Sequence, residues 1–224
     1  MRRLLALIFI ASAAGAQTEI DTARVKLPNF AIDKTEVTVR AFSEYAKQNG
    51  IQTLAEREGG GFEWGFGWQR REGWSYRRPQ GELAAPNEPA VHLSWDEANA
   101  YCKSTGGRLP TKAEWASAAY TEQRKEPTSG YESGLTYPYP VGIDSEGMNN
   151  NRSHHLPVAT TKEGVNGLYD MGANAWEWLA DRRGDEALTA GGSWWYGPEK
   201  TRIEGMQWKP ASFYAVYIGF RCVY

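Results

Sequence analysis

The sequence predicts an α+β domain that is rich in loops and poor in long regular elements. Three observations predict it. Helix signals are few and short: Ser94 with Glu97 and Thr111 with Glu114 each form a capping box, and Gly106-Gly107 or a polar stretch ends what each box opens. Alternating apolar positions, the mark of a half-buried strand, occur at residues 30–34 and 218–223, near the two ends of the chain. Finally, 10 Trp and 12 Tyr sit among 24 Gly, a composition in which rigid rings fill core space where regular elements are sparse.

Taken in order, residues 1–16 read as an export signal. Arg2 and Arg3 precede a short apolar run, and Ala14-Gly15-Ala16 offers small side chains for cleavage before Gln17. The run is too short to span a bilayer comfortably, so the expectation is a periplasmic or secreted protein without membrane insertion after cleavage. Residues 17–29 form a lead-in and 30–224 a single domain. A strand at 30–34 is followed by a helix capped by Thr38, with Val39, Phe42, Tyr45 and Ala46 on one face and Asn49-Gly50 at its end. Residues 56–90 show little periodicity and read as a long ordered loop or several turns. Gly191 to Tyr196 reads as a strand opening on glycines, and the last strand carries Cys222 on its core side.

Removing the two arginines of the signal from 25 basic side chains leaves 23 against 27 acidic ones. A mildly acidic balance argues against a nucleic-acid partner. Two cysteines, Cys102 and Cys222, make an even number, which in an oxidising compartment points to one bridge; two separately buried thiols are the alternative. A bridge across that separation is worth up to roughly 5 kcal/mol of loop-closure entropy.

Several ordered motifs resemble the formylglycine-generating enzyme family, also called the sulfatase-modifying factor domain. They are Pro89-Ala90-Val91-His92-Leu93-Ser94-Trp95 running on to Cys102, Gly107-Arg108-Leu109-Pro110-Thr111-Lys112-Ala113-Glu114-Trp115, the segment from Asn166-Gly167-Leu168-Tyr169-Asp170-Met171 to Asn174-Ala175-Trp176-Glu177-Trp178, Gly191-Gly192-Ser193-Trp194, and Gly219-Phe220-Arg221-Cys222-Val223. The resemblance spans residues 30–223. It implies a C-type-lectin-like fold and a disulfide between Cys102 and Cys222. Catalytic members place two copper-binding cysteines just after Gly-Gly-Ser, where Tyr196 and Thr201 stand here; neither is a soft Cu(I) ligand. The expectation is therefore a member lacking the catalytic cysteine pair, without copper-thiol chemistry and with no catalytic residue to name. A histidine-ligated iron is not expected either: His92 reads as a core or capping residue, and His154 and His155 are adjacent and point apart. A structural calcium is the expected metal, held by Asn174 and Glu177, with Asn149 and Asn150 building a second loop site; carboxylate and amide oxygens in a turn suit that ion.

By the same resemblance a groove lies among residues 192–214 and 62–78. Trp194, Trp195, Tyr196, Trp208, Tyr214, Trp64, Trp68, Trp74 and Tyr76 are its expected rings, and Glu199, Lys200, Arg202, Glu204 and Lys209 its charges. Rigid aromatics flanked by charge suit a protein, peptide or glycan. The leading reading is an exported, noncatalytic binding or assembly module. The alternative is a divergent oxidoreductase-like maturation enzyme of the same superfamily, as in siderophore chromophore maturation. A lectin-like receptor is a third reading, resting on fold alone.

Overall fold

Side chains named by the sequence anchor each helix at its start. In the computed structural model, which describes residues 23–128 and 130–224, Thr38 accepts from the Ala41 amide and opens α1 (Val39–Asn49), which Gly50 closes in the left-handed region. Complete capping boxes open α2 (Leu54–Arg57, from Thr53 and Glu56), α3 (Trp95–Ser104, from Ser94 and Glu97) and α4 (Lys112–Tyr120, from Thr111 and Glu114). Among the described residues no helix is long and apolar enough to cross a membrane. The expected export signal lies outside the described residues.

Strands β1 (Arg24–Lys26) and β2 (Ala31–Asp33) form an antiparallel pair, so the lead-in expected at 17–29 is in part a strand. Within the stretch 56–90, expected as a long ordered loop or several turns, residues 60–72 instead form an antiparallel hairpin, β3 (Gly60–Gly65) and β4 (Gly67–Glu72), in which Trp64 faces Trp68 across the strands, whereas 73–90 is made of turns and loops. The four-stranded sheet has the order β7-β6-β5-β8: β5 (Trp176–Arg183), β6 (Glu186–Ala190) and β7 (Gln207–Pro210) run antiparallel, and β8 (Ile218–Gly219) pairs parallel to β5.

Period-two alternation divides the core between the two faces of this sheet. Trp176 and Trp178 of β5 and Ala187 of β6 join Phe42 of α1 and Ala98, Tyr101 and Cys102 of α3. Leu179, Leu188 and Ala190 point the other way and pack with Trp115, Ala118 and Ala119 of α4. The Cys102–Cys222 disulfide, with Cα atoms 5.5 Å apart, ties α3 to the last residues.

A charged group lies inside this apolar frame. Arg221 is fully buried, and its Nε and Nη2 donate to the Glu177 carboxylate at 2.7–2.9 Å. Its remaining N–H groups reach the carbonyls of Asp33 (3.1 Å) and Tyr169 (2.8 Å). Glu177 also accepts from the Trp115 indole at 2.7 Å. A buried ion is tolerable only when it is paired and well hydrogen-bonded; Arg221 is paired with Glu177, and its Nε, Nη1 and Nη2 each donate to a protein oxygen. Arg221→Met is expected to lose about 3–5 kcal/mol in urea unfolding, because Glu177 is left charged and unpaired. The double variant with Glu177→Gln should lose less than the two single losses added together; strict additivity would mean that the pair is not energetically coupled.

Candidate functional site

Strand β6 ends at Ala190, and the chain then turns instead of continuing as the strand expected at 191–196. Gly191 and Gly192 both have positive φ (90° and 74°), and a Cβ on Gly191 would come within 2.9 Å of the Met171 carbonyl. Only glycine adopts this geometry without strain. The turn presents Ser193, Trp194, Trp195 and Tyr196 beside Tyr217.

Tyr217 is the hub of the resulting groove. Its ring centroid lies 5.1 Å from Trp194, 6.1 Å from Trp195, 6.5 Å from Tyr196 and 6.2 Å from Trp68. Trp68 in turn packs on Phe213 at 4.7 Å and Trp64 at 5.2 Å. The hairpin is docked there by the Trp64 amide, which donates to the Tyr217 hydroxyl at 3.1 Å, and by the Val216 amide, which donates to the Phe62 carbonyl at 2.9 Å. Trp194 and Tyr217 are buried, whereas Trp64 and Trp68 are each 44 % exposed and Trp195 37 %. The rim therefore offers apolar surface to a ligand and the floor is closed.

At the inner end, Tyr196 meets the Trp176 ring edge-on at 5.5 Å. Lys209 of β7 lays its Nζ over the Trp176 ring, 4.2 Å from the centroid, and donates to Gln207 Oε1 at 2.9 Å. Burial, helped by the positive charge of Lys200, lowers the Lys209 pKa to about 7. Thr201 is buried; its hydroxyl donates to the Pro198 carbonyl at 2.8 Å.

Several expected groove residues lie elsewhere. Trp208 is on the opposite face of β7, packed with the α4 side of the core beneath Arg183 at 4.7 Å. Arg202 lies over Tyr139 at 5.2 Å, and Trp74 packs against His92 at 6.1 Å. Glu199 is exposed beside Gly197. Among the rings and charges expected in the groove, Trp194, Trp195, Tyr196, Trp64, Trp68 and Lys209 come together, whereas Tyr76 packs on Phe42.

The residues expected to bind calcium are turned toward protein partners. Both Glu177 oxygens accept from Arg221, and Asn174 Oδ1 accepts from Asn149 Nδ2 (2.9 Å) and the Leu156 amide (2.8 Å). Asn174 Nδ2 donates to Glu36 at 3.0 Å, and Asn150 Nδ2 donates to the Tyr196 carbonyl at 2.9 Å. The Glu177 carboxylate and Asn174 Oδ1 are thus engaged by protein donors. Glu36, absent from the expected site residues, is fully enclosed, and burial together with Asp170 and Glu177 holds its pKa well above the usual carboxylate range. Its position in an irregular segment gives no local signal.

The histidines separate as their spacing suggests. His154 is exposed, whereas His155 is buried with Nε2 2.9 Å from Glu88 Oε2, in a cleft of about 280 Å³. His92 is fully buried with Nε2 2.9 Å from the Pro79 carbonyl, and burial lowers its pKa to about 4. Among the described residues no group of three or more His, Cys, Asp or Glu is placed to hold a metal ion.

Comparison with known proteins agrees with the motifs. The family model described as "Sulfatase-modifying factor enzyme 1-like domain" matches residues 9–224. The formylglycine-generating enzyme of Streptomyces coelicolor is 30 % identical over 208 residues, covering 75 % of this chain and 62 % of that protein. A mouse protein named inactive C-alpha-formylglycine-generating enzyme 2 is 30 % identical over 209 residues, covering 74 % and 62 %. The chain thus spans about three fifths of the length of these relatives. The structure of PvdO from Pseudomonas aeruginosa superposes with a TM-score of 0.58 at 20 % identity, over 87 % of this chain and 79 % of that one, a likeness of fold.

One expectation is corrected. The chain was expected to lack the family's catalytic cysteine pair, because the positions after Gly-Gly-Ser hold Tyr196 and Thr201, and to keep Cys102 and Cys222 only as a structural bridge. The two are joined, and the bonded pair is consistent with a retained family-type pair and not with its absence. The fold brings the two together from positions 120 residues apart. Both are buried and bonded, and no free cysteine remains. In this state neither sulfur is the thiolate that Cu(I) requires, so the arrangement does not fit a copper-thiolate centre.

Replacing both cysteines by alanine is expected to lose up to about 5 kcal/mol, read from thermal or urea unfolding. A double variant as stable as the parent would show that the bond does not constrain the unfolded chain. His92 generates a pH dependence. Its folded pKa lies below the ordinary 6.5, so the unfolded chain binds more protons between about pH 4 and 6.5, and this contribution to stability falls as the pH drops through that window. Asp33, raised to about 6 chiefly by burial, has the opposite slope above its ordinary 3.8. The two oppose each other in the parent protein. His92→Gln is therefore expected to remove one of them, so that the stability difference between parent and variant changes by roughly 3 kcal/mol between pH 4 and 7 in urea titrations. A pH-independent difference would contradict this assignment.

Proposed function

The chain belongs to the sulfatase-modifying factor enzyme 1-like domain family, and from that premise we propose that it is a divergent maturation enzyme of the superfamily, acting on a peptide or peptide-derived substrate without copper-thiol chemistry. The observation that carries this reading is the juxtaposition at the inner end of the wall of rings. Tyr196 meets the Trp176 ring edge-on there, and the half-buried amine of Lys209 lies over the same ring. Exposed rings give contact area at low entropic cost, and an amine that is partly neutral near pH 7 gives the groove a group able to move a proton. The relative named a formylglycine-generating enzyme supports a peptide-linked substrate. The bonded cysteines support an exported location.

A second reading is a noncatalytic binding module. It is favoured by the exposed rings of Trp64, Phe66 and Trp68 on one hairpin and by the relative whose name calls it inactive.

A defined mixture of synthetic hexapeptides, each with a central Tyr, Trp, Ser or Cys, separates the two readings. Tryptophan fluorescence reads binding to the purified chain, and mass spectrometry in metal-chelated buffer reads any change in peptide mass. The expected result is a mass-shifted product, with binding weakened about tenfold by Trp195→Ala. Binding without a mass change would favour the module. No binding by any peptide would count against both readings.

A further inference from the structure

We propose that the Lys209 amine is the proton-accepting group of the groove, acting on a weakly acidic O–H or S–H group of a bound peptide. This rests on the reading that the groove belongs to an enzyme. The first support is position. Lys209 pairs with Ala187 across β6 and β7, which places it on the same sheet face as Trp176, the ring that Tyr196 meets edge-on.

The second support is the lack of a counter-ion. Gln207 Oε1 is the hydrogen-bond acceptor for Nζ, and among the described residues no carboxylate pairs with it. The charged group that acts on it is Lys200, of its own sign. The π-face of Trp176 favours the ammonium form, whereas burial and Lys200 favour the neutral amine; the latter prevail and bring the titration to about 7. A neutral amine with one N–H on Gln207 keeps a lone pair for another proton.

The third support is elimination among the neighbours. The Tyr196 phenol is raised by burial and is a weaker acid than usual. Arg202 lies over Tyr139, and the nearest histidine–carboxylate pair, His155 with Glu88, lines a separate cleft. The step balances without a redox partner: the X–H bond breaks, its electron pair stays on X, the proton joins Nζ to give the ammonium, and solvent later removes it.

The test begins with a readout that needs no substrate. The full chain is treated with trace acetic anhydride across pH 5–11, and acetylation is mapped by mass spectrometry. Lys209 should reach half-maximal labelling near pH 7, well below a free Nα-acetyl-lysine amide added as internal standard. Lys200→Met should move the Lys209 midpoint upward. A Lys209 midpoint that coincides with that of the free amide would overturn the proposal whether or not a substrate is known. With a product-forming peptide from the mixture above, Lys209→Met should slow product formation at least about 100-fold and leave fluorescence-detected binding in place. Lys209→Arg, which stays charged, should not restore the rate. Product formation at the parent rate in Lys209→Met would overturn the proton-accepting role and leave the enzymatic reading intact.

Discussion

The buried ion pair between Arg221 and Glu177 is the constraint around which the remaining parts are arranged. Arg221 sits just before Cys222, in the final segment, and Glu177 is on the central strand β5. One guanidinium thereby joins β5, the carbonyl of Asp33 at the end of β2 and the carbonyl of Tyr169 in the irregular segment before β5. A hydrophobic contact would tolerate sliding among these pieces, whereas a planar fork with fixed donor directions does not. Alongside it, Glu36 receives the Asn174 amide and the Ala175 backbone N–H, and Asn174 holds Asn149. A polar layer thus sets the register of segments that have little secondary structure of their own.

The groove inherits its shape from that layer. Trp176 is the residue before Glu177 on β5, so fixing Glu177 toward α4 turns Trp176 toward the opposite face, under Tyr196 and Lys209. The Trp194 amide donates to the Asn174 carbonyl at 3.0 Å, which ties the turn bearing Trp194, Trp195 and Tyr196 to the same layer. The hairpin is held differently. Its bonds to the Tyr217 hydroxyl and the Val216 amide place the exposed rings of Trp64 and Trp68 over a floor that the buried layer has already positioned.

What could be read from the sequence follows the range of the forces involved. Helix starts were legible where a capping box complete within four residues was read, at Ser94 and Thr111; the third box, Thr53 with Glu56, went unread beside the aperiodic stretch that follows it. The hairpin at 60–72 was not legible: glycines and charges interrupt its alternation, and what stabilises it is the cross-strand meeting of Trp64 with Trp68 and its docking on Tyr217. Proximity in sequence to the Gly-Gly-Ser motif led to the assignment of Trp208 to the groove. The pleat of β7 sends Trp208 to one side and its neighbour Lys209 to the other, a distinction that depends on strand register alone. Glu36 escaped notice because its partners, Asn174 and Ala175, lie far along the chain.

Strand β7 is the outermost strand on its side of the four-stranded sheet, and such a margin invites another chain to add a strand. Here the invitation is withdrawn twice. Pro210 has no N–H to offer a newcomer, and Lys209 sends an ammonium-bearing arm inward, so that a flat apolar margin for intermolecular zippering never forms. One side chain, Lys209, thus both covers the Trp176 ring and spoils this margin as a template for another strand.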